Sequence, residues 1–175
     1  MTLKQGGEGR YYEDFEVGDV YRHRLGRTIT ETDNIWFTLL TMNPNQLHFN
    51  REYGRRTEFG ECLVDSTLTV AIVTGLSVTD VSQNAVANLG WDEIRLHHPV
   101  YVGDTLYAET EVLAKRESES RPYAGIIEVK TRGINQEGVV VLSFKRAIMV
   151  YKQGQSPVGD LFPTVGPEAE QGEGN

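Results

Sequence analysis

Asn43 and His48, five positions apart, carry the most chemical information in this chain. They lie in the run Thr41-Met42-Asn43-Pro44-Asn45-Gln46-Leu47-His48-Phe49-Asn50, a turn-rich stretch with apolar residues beside the histidine. The ordinary pKa of histidine lies near neutrality, so His48 can take up and return a proton at working pH. An amide cannot do this. It does both donate and accept hydrogen bonds, so Asn43 can orient a water or a small polar group beside the imidazole. The same pair also suits a structural arrangement in which Asn43 caps a helix and His48 makes a buried hydrogen bond. The spacing alone leaves both open.

The elements that must hold this turn are readable on either side. Thr30 is a good N-cap with Asp33 three positions on, and Ile35, Trp36, Leu39 and Leu40 recur at helical spacing. That helix is predicted to end at Asn43-Pro44, because Pro44 disfavours helical backbone at the residue before it. Arg51 to Arg56 predicts a short second helix. Ser66 to Thr79 has no charge and has apolar or small residues on every side, which predicts a helix buried all round, opened at Asp65-Ser66. Gly75 within it implies close packing at that point. Upstream, Val20 to Ile29 predicts a strand, with Tyr21, His23 and Leu25 alternating against Arg22 and Arg24. Downstream, strands are predicted at Ala85–Leu96, Thr105–Arg116, Ala124–Ile134 and Val139–Tyr151, the last two joined by a turn at Asn135–Gly138. The expected domain is α+β: a helix wrapped by a curved antiparallel sheet over residues 11–153, between a loose N-terminus (1–10) and an extended tail (154–175). Open sheet edges predict pairing in a homodimer or higher assembly.

Composition bounds the rest. A chain of 175 residues with 39% hydrophobic and 24% charged residues is an ordinary globular domain. The net charge of −8 argues against a nucleic-acid partner. Cys62 is alone, which favours a reducing cytoplasm, and no signal-like or membrane-length apolar run is present. His97 and His98, adjacent on a strand, would point to opposite faces, so no metal site is expected.

An ordered set of motifs over residues 11–151 resembles the MaoC-like group of hotdog-fold acyl-CoA hydratases, which includes R-specific enoyl-CoA hydratases. It comprises Asp14–Gly18, Arg27-Thr28-Ile29-Thr30-Glu31-Thr32-Asp33, Asn45–Asn50, Glu58-Phe59-Gly60 and Pro99–Leu106. The runs Phe37–Asn43 and Ala87–Leu96 look most like the mesaconyl-CoA hydratases (β-methylmalyl-CoA dehydratases). The resemblance implies a hotdog fold and a hydro-lyase acting on a branched enoyl-CoA thioester. It also implies no cofactor beyond the coenzyme A of the substrate, and a dimer with sites at the subunit interface. In the family an aspartate and a histidine five residues apart hold the water that adds to the double bond. His48 matches the histidine. Asn43 stands where the aspartate would be, and Gln46 where a proline is usual. His48 would then carry all proton transfer, unless a carboxylate such as Glu58 or Asp65 takes the missing place. An amide at 43 would also spare a dicarboxylic substrate a repulsion of several kcal/mol.

Backbone N–H groups near Asp65, Ser66 and Thr67 would receive the thioester oxygen, although the family usually has glycine where Ser66 stands. Arg95 and Arg116, with Lys115 and Arg121, are candidates for the CoA phosphates, and Arg55 and Arg56 for a substrate carboxylate. Three other activities stay open on this fold: hydration of straight-chain enoyl-CoA, thioester hydrolysis, and acyl-CoA binding without catalysis.

Overall fold

The computed structural model describes residues 9–159 and Pro163. The loose segment expected at 1–10 therefore lies outside the described residues except for Gly9 and Arg10, and the expected tail lies outside them beyond Gly159 except for Pro163.

Four long strands form the frame: β3 (Ala85–Leu96), β4 (Thr105–Glu117), β5 (Ala124–Ile134) and β6 (Val140–Tyr151). All pair antiparallel in the order β4-β5-β6-β3, and β1 (Val20–Arg22) and β2 (Arg27–Thr28) both pair with β4. The alternation read over Thr105–Arg116 is the burial pattern of β4, with Leu106, Ala108, Thr110 and Val112 inward. Gly138, at φ 80°, closes the β5–β6 hairpin through its N–H to the Asn135 carbonyl at 3.0 Å. The single strand predicted over 20–29 is instead two short ones. Arg22 pairs with Glu109 but Arg27 with Leu106, so after the His23 N–H meets the Ala108 carbonyl at 3.0 Å residues 24–26 bulge out of the ladder and leave Leu25 exposed.

Helix α3 (Ser66–Leu76) lies against this sheet and gives way to a wide π-type turn at Val78–Ser82, so it ends earlier than the predicted Thr79. Leu68, Thr69 and Val73 face inward, whereas Ser66, Thr67, Ala71 and Gly75 are exposed. The expectation of burial on all sides fails for the single chain, and a side chain at Gly75 would meet nothing within 4 Å. The close approach is on the other partner. A Cβ on Gly133 of β5 would stand 2.6 Å from Val73 Cγ2, so the bare glycine lets α3 settle onto the sheet. Among the described residues no helix is long and apolar enough to cross a membrane.

Two apolar clusters make up most of the core, beside a third of Ala124, Ile126 and Met149. One gathers Ile29, Leu68, Val73, Leu106, Leu142 and Phe144; the other gathers Tyr12, Phe15, Val112, Ile127, Val129 and Ile148. A layer of buried polar side chains accompanies them. His23 Nδ1 donates to Asp80 at 2.9 Å, His23 Nε2 meets Thr110 Oγ1 at 2.8 Å, and Thr110 Oγ1 meets Thr131 Oγ1 at 2.9 Å. Arg146 donates to Ser77 Oγ at 2.9 Å at the end of α3, and burial lowers its pKa to about 10.

Between β2 and α3 lie α1 (Glu31–Leu40) and α2 (Arg51–Arg55). Thr30 and Asp33 form the capping box that starts α1. The helix stops before Asn43, by a different device from the proline. Met42 takes the left-handed conformation (φ 56°), its N–H bonding to the Leu39 carbonyl at 3.2 Å, while the Asn43 N–H reaches the Thr38 carbonyl at 2.9 Å. The inward face of α1 is also unexpected. Asn34 and Thr38 are buried, while Trp36, Leu39 and Leu40 point outward.

Candidate active site

Asparagines shape the loop that carries His48. Asn43 Oδ1 accepts the Asn45 N–H at 3.0 Å, Asn45 Oδ1 accepts the Leu47 N–H at 3.1 Å, and Asn50 Oδ1 caps α2 through the N–H groups of Glu52 and Tyr53. Each short side chain replaces a backbone turn bond, which is why the chain can reverse repeatedly here without a regular helix.

His48 leaves that loop with its Nδ1 at 3.0 Å from the Leu63 carbonyl. A carbonyl oxygen only accepts, so Nδ1 carries the proton and the neutral ring presents Nε2 as a lone pair. This is the tautomer a general base requires. Among the described residues Nε2 has no protein hydrogen-bond partner.

Asn43 is tied to the start of α3. Its Nδ2 donates to Asp65 Oδ2 at 2.7 Å. Asp65 is 3% exposed and is the N-cap of that helix, with Oδ1 accepting the N–H groups of Thr67 and Leu68 at 2.7 and 3.3 Å as well as the Thr67 hydroxyl. Burial pushes the Asp65 carboxyl up, and the donors from Thr67, Asn43 and Leu68 outweigh it, holding the group below the usual carboxylate range. A carboxylate so held is a poor proton acceptor at neutral pH. Asp65 therefore stands beside Asn43 as an ionised hydrogen-bond acceptor. It also gives a nearer reason for an amide at 43 than a substrate carboxylate does.

The candidate oxyanion donors narrow in the same way. The Asp65 N–H is bonded to Asn34 Oδ1, and those of Thr67 and Leu68 are bonded to Asp65. Among the described residues the Ser66 N–H alone of this first turn is left without an acceptor, at the positive end of the helix. Ser66 lines a cleft of about 270 Å³ with Phe59, Leu63, Thr69, Leu96 and His98.

The structure gathers His48, Asn43, Asp65, Ser66 and Thr67. Glu58 is exposed beside Phe59 and makes no hydrogen bond or ion pair among the described residues. Arg95 is exposed near the end of β3, and among the described residues its side chain bonds to the carbonyl of its own neighbour Ile94. Arg116 is at the far end of β4 from Thr105 and does not reach the cleft, since that strand pairs Arg116 with Ile126. His97 turns its Nε2 to Ser143 Oγ at 2.8 Å, and both His97 and His98 line the cleft. Asn34, which the sequence did not single out, is 1% exposed at the centre of the network. Its Nδ2 donates to the His48 and Leu63 carbonyls at 2.8 and 2.9 Å, and its Oδ1 accepts the Asp65 N–H at 2.8 Å.

A curved antiparallel sheet holding one helix, with an oriented histidine at that helix's N-terminus, defines a hotdog-fold protein. Solved structures agree. A MaoC domain protein of Chloroflexus aurantiacus superimposes with a TM-score of 0.82 at 31% identity, over 94% of this chain and 46% of its own. A Mycobacterium tuberculosis protein with a double hotdog fold matches at TM-score 0.78 and 25% identity, over 89% of this chain and 48% of its own. Residues 14–132 match the MaoC like domain, and the chain belongs to that family. It is 37% identical over 145 residues to the mesaconyl-CoA hydratase of Cereibacter sphaeroides, covering 83% of this chain and 42% of that protein. The chain spans about half the length of the curated relatives it matches first.

Proposed function

We propose that the chain is a hydro-lyase adding water reversibly to an enoyl-CoA thioester, with a branched dicarboxylic acyl group of the mesaconyl type as the preferred class. One observation carries this reading: the Leu63 carbonyl fixes the His48 ring with Nε2 as its free lone pair, beside an α3 N-terminus with one open N–H. The similarity to a mesaconyl-CoA hydratase supports the choice of acyl group.

Water is held by the remaining N–H and lone pair of Asn43. His48 Nε2 removes one of its protons as the oxygen bonds to Cβ. The π electrons of the double bond move to the thioester oxygen, which is met by the Ser66 N–H as negative charge develops. The imidazolium then returns the proton to Cα. Water has been added without change of oxidation state, so the reaction calls for no redox cofactor, and coenzyme A enters only as part of the substrate.

The working unit is a dimer of hotdog domains in a reducing cytoplasm, as the lone Cys62 suggests. β3 is exposed along most of its length, and next to it an apolar groove of about 570 Å³ runs between Val70, Ala71, Thr74 and Val78 of the helical side and Trp91 and Ile94 of the strand. A second copy would pair that edge and fill that groove.

Purified protein mixed with crotonyl-CoA or mesaconyl-CoA tests the reaction. Loss of enoyl absorbance without thiol release is expected, faster with mesaconyl-CoA. Free thiol would make the chain a thioesterase, and no change with either would make it a binding subunit.

A further inference from the structure

We infer that Asn34 is the positioning residue of this site: it fixes the ring tautomer of His48 and the start of α3 through a single amide. This rests on the hydratase reading for its effect on turnover, but its structural content stands apart from it.

Asn34 sits in the first turns of α1, where a periodic helix would carry an apolar core residue. Its amide is fully used. The two Nδ2 hydrogens go to the carbonyls of His48 and Leu63, 14 and 29 residues away in the chain, and Oδ1 takes the N–H of Asp65. The Leu63 carbonyl thereby accepts twice, from Asn34 Nδ2 at 2.9 Å and from His48 Nδ1 at 3.0 Å. Asn34 thus holds the acceptor that selects the Nδ1–H tautomer of His48, and it also holds the backbone from which that histidine projects. Through Asp65 it sets the N-cap of the helix whose next N–H, that of Ser66, is open.

No other side-chain amide among the described residues ties the base and the oxyanion donor to one point. An isosteric carboxylate could still accept the Asp65 N–H but has no hydrogen to give either carbonyl. Removing the amide leaves the His48 carbonyl and the Asp65 N–H without partners in a buried place, and leaves the Leu63 carbonyl with the His48 ring as its one remaining donor among the described residues. The His48 ring would then sample both tautomers, and Nε2 would move relative to the Ser66 N–H. A displacement of that kind acts on the chemical step rather than on binding.

The test combines Asn34→Ala with nitrogen-15 NMR of the histidine side chains, His48→Ala assigning the signal. The wild-type ring should show Nδ1 protonated and Nε2 bare at high pH, and Asn34→Ala should show a mixture. Turnover should fall about 10- to 100-fold, with the affinity for saturated butyryl-CoA unchanged within about threefold. If the wild type hydrates no enoyl-CoA, the functional reading fails while the tautomer measurement still decides the positioning role. Retention of the pure Nδ1–H tautomer in folded Asn34→Ala overturns the proposal, as does a loss confined to binding. Should Asn34→Ala not fold, Asn34→Ser keeps one hydroxyl donor and carries the same readouts. Failure of both to fold would show the residue to be a scaffold member only, and would also overturn it.

Discussion

Asn43→Asp is the substitution whose outcome the structure fixes most closely. It replaces the Nδ2 group that lies 2.7 Å from Asp65 Oδ2 with an oxygen that can be charged. Asp65 cannot turn away without giving up the N-cap bonds to Thr67 and Leu68. Two carboxylates at that separation repel by about 6 kcal/mol at an effective dielectric of 20, roughly four powers of ten against double ionisation. The pair therefore keeps one proton, which occupies the place of the amide hydrogen. The folded-state pKa of this pair's retained proton is raised above its unfolded value. The variant should match the wild type in stability below about pH 4, and fall behind by about 1.4 kcal/mol per pH unit until the folded pair ionises. Thermal unfolding between pH 4 and 8 measures the gap, and crotonyl-CoA hydration over the same range should decline with it. A gap that stays constant with pH would refute the dyad, because it would mean the new carboxyl ionises freely. Since Asp65 is part of the protein, this loss applies to neutral and dicarboxylic substrates alike. Only a further loss with mesaconyl-CoA would place a substrate carboxylate beside position 43.

His48→Ala should lower kcat about 10²–10⁴-fold and leave butyryl-CoA binding within a few-fold; near-normal turnover in a stopped-flow assay would remove His48 from the chemistry. Ser66→Pro deletes the open N–H at a first helical position, where proline is tolerated, and Asp65 already has the extended ψ of 131° that a following proline demands. It should cost about 10²–10³-fold in kcat with the melting temperature held, and an unchanged kcat would place the oxyanion elsewhere. Ala71→Arg puts a charged side chain on the exposed face of α3 and should convert the dimer to monomer in light scattering without altering the circular dichroism spectrum; a persistent dimer would put the interface on another surface.

The frame was legible because its signals are local. β4 alternates inward and outward as its sequence does, and Asp65 before a charge-free run names the start of α3. What remained hidden depends on partners far along the chain. The bulge at 24–26 arises from the register against β4, which the alternation of Tyr21, His23 and Leu25 does not contain. In α1 the apolar stripe of Trp36, Leu39 and Leu40 drew attention away from Asn34 and Thr38, whose inward face is polar because it must satisfy backbone groups. Asn34 and Thr38, polar and four apart on one helix, were the available clue. Likewise, charge-free composition around α3 reads the same whether a face is buried within the chain or beneath a second one.

The polar layer of His23, Thr110 and Thr131 bears on how the chain finds its pairing during folding. Strands of 11 to 13 residues with regular alternation have near-degenerate alternatives two residues out of step, because such a slip keeps every side chain on its proper face. Apolar side chains discriminate weakly between those alternatives. Hydroxyls do not: a two-residue shift of β5 would bring Thr110 opposite Val129 or Gly133 in place of Thr131. It would strand two buried hydroxyls and break the chain that runs on to His23 and Asp80. The layer is thus a molecular ruler, giving up some apolar contact to make one alignment of the sheet much lower in free energy than its neighbours.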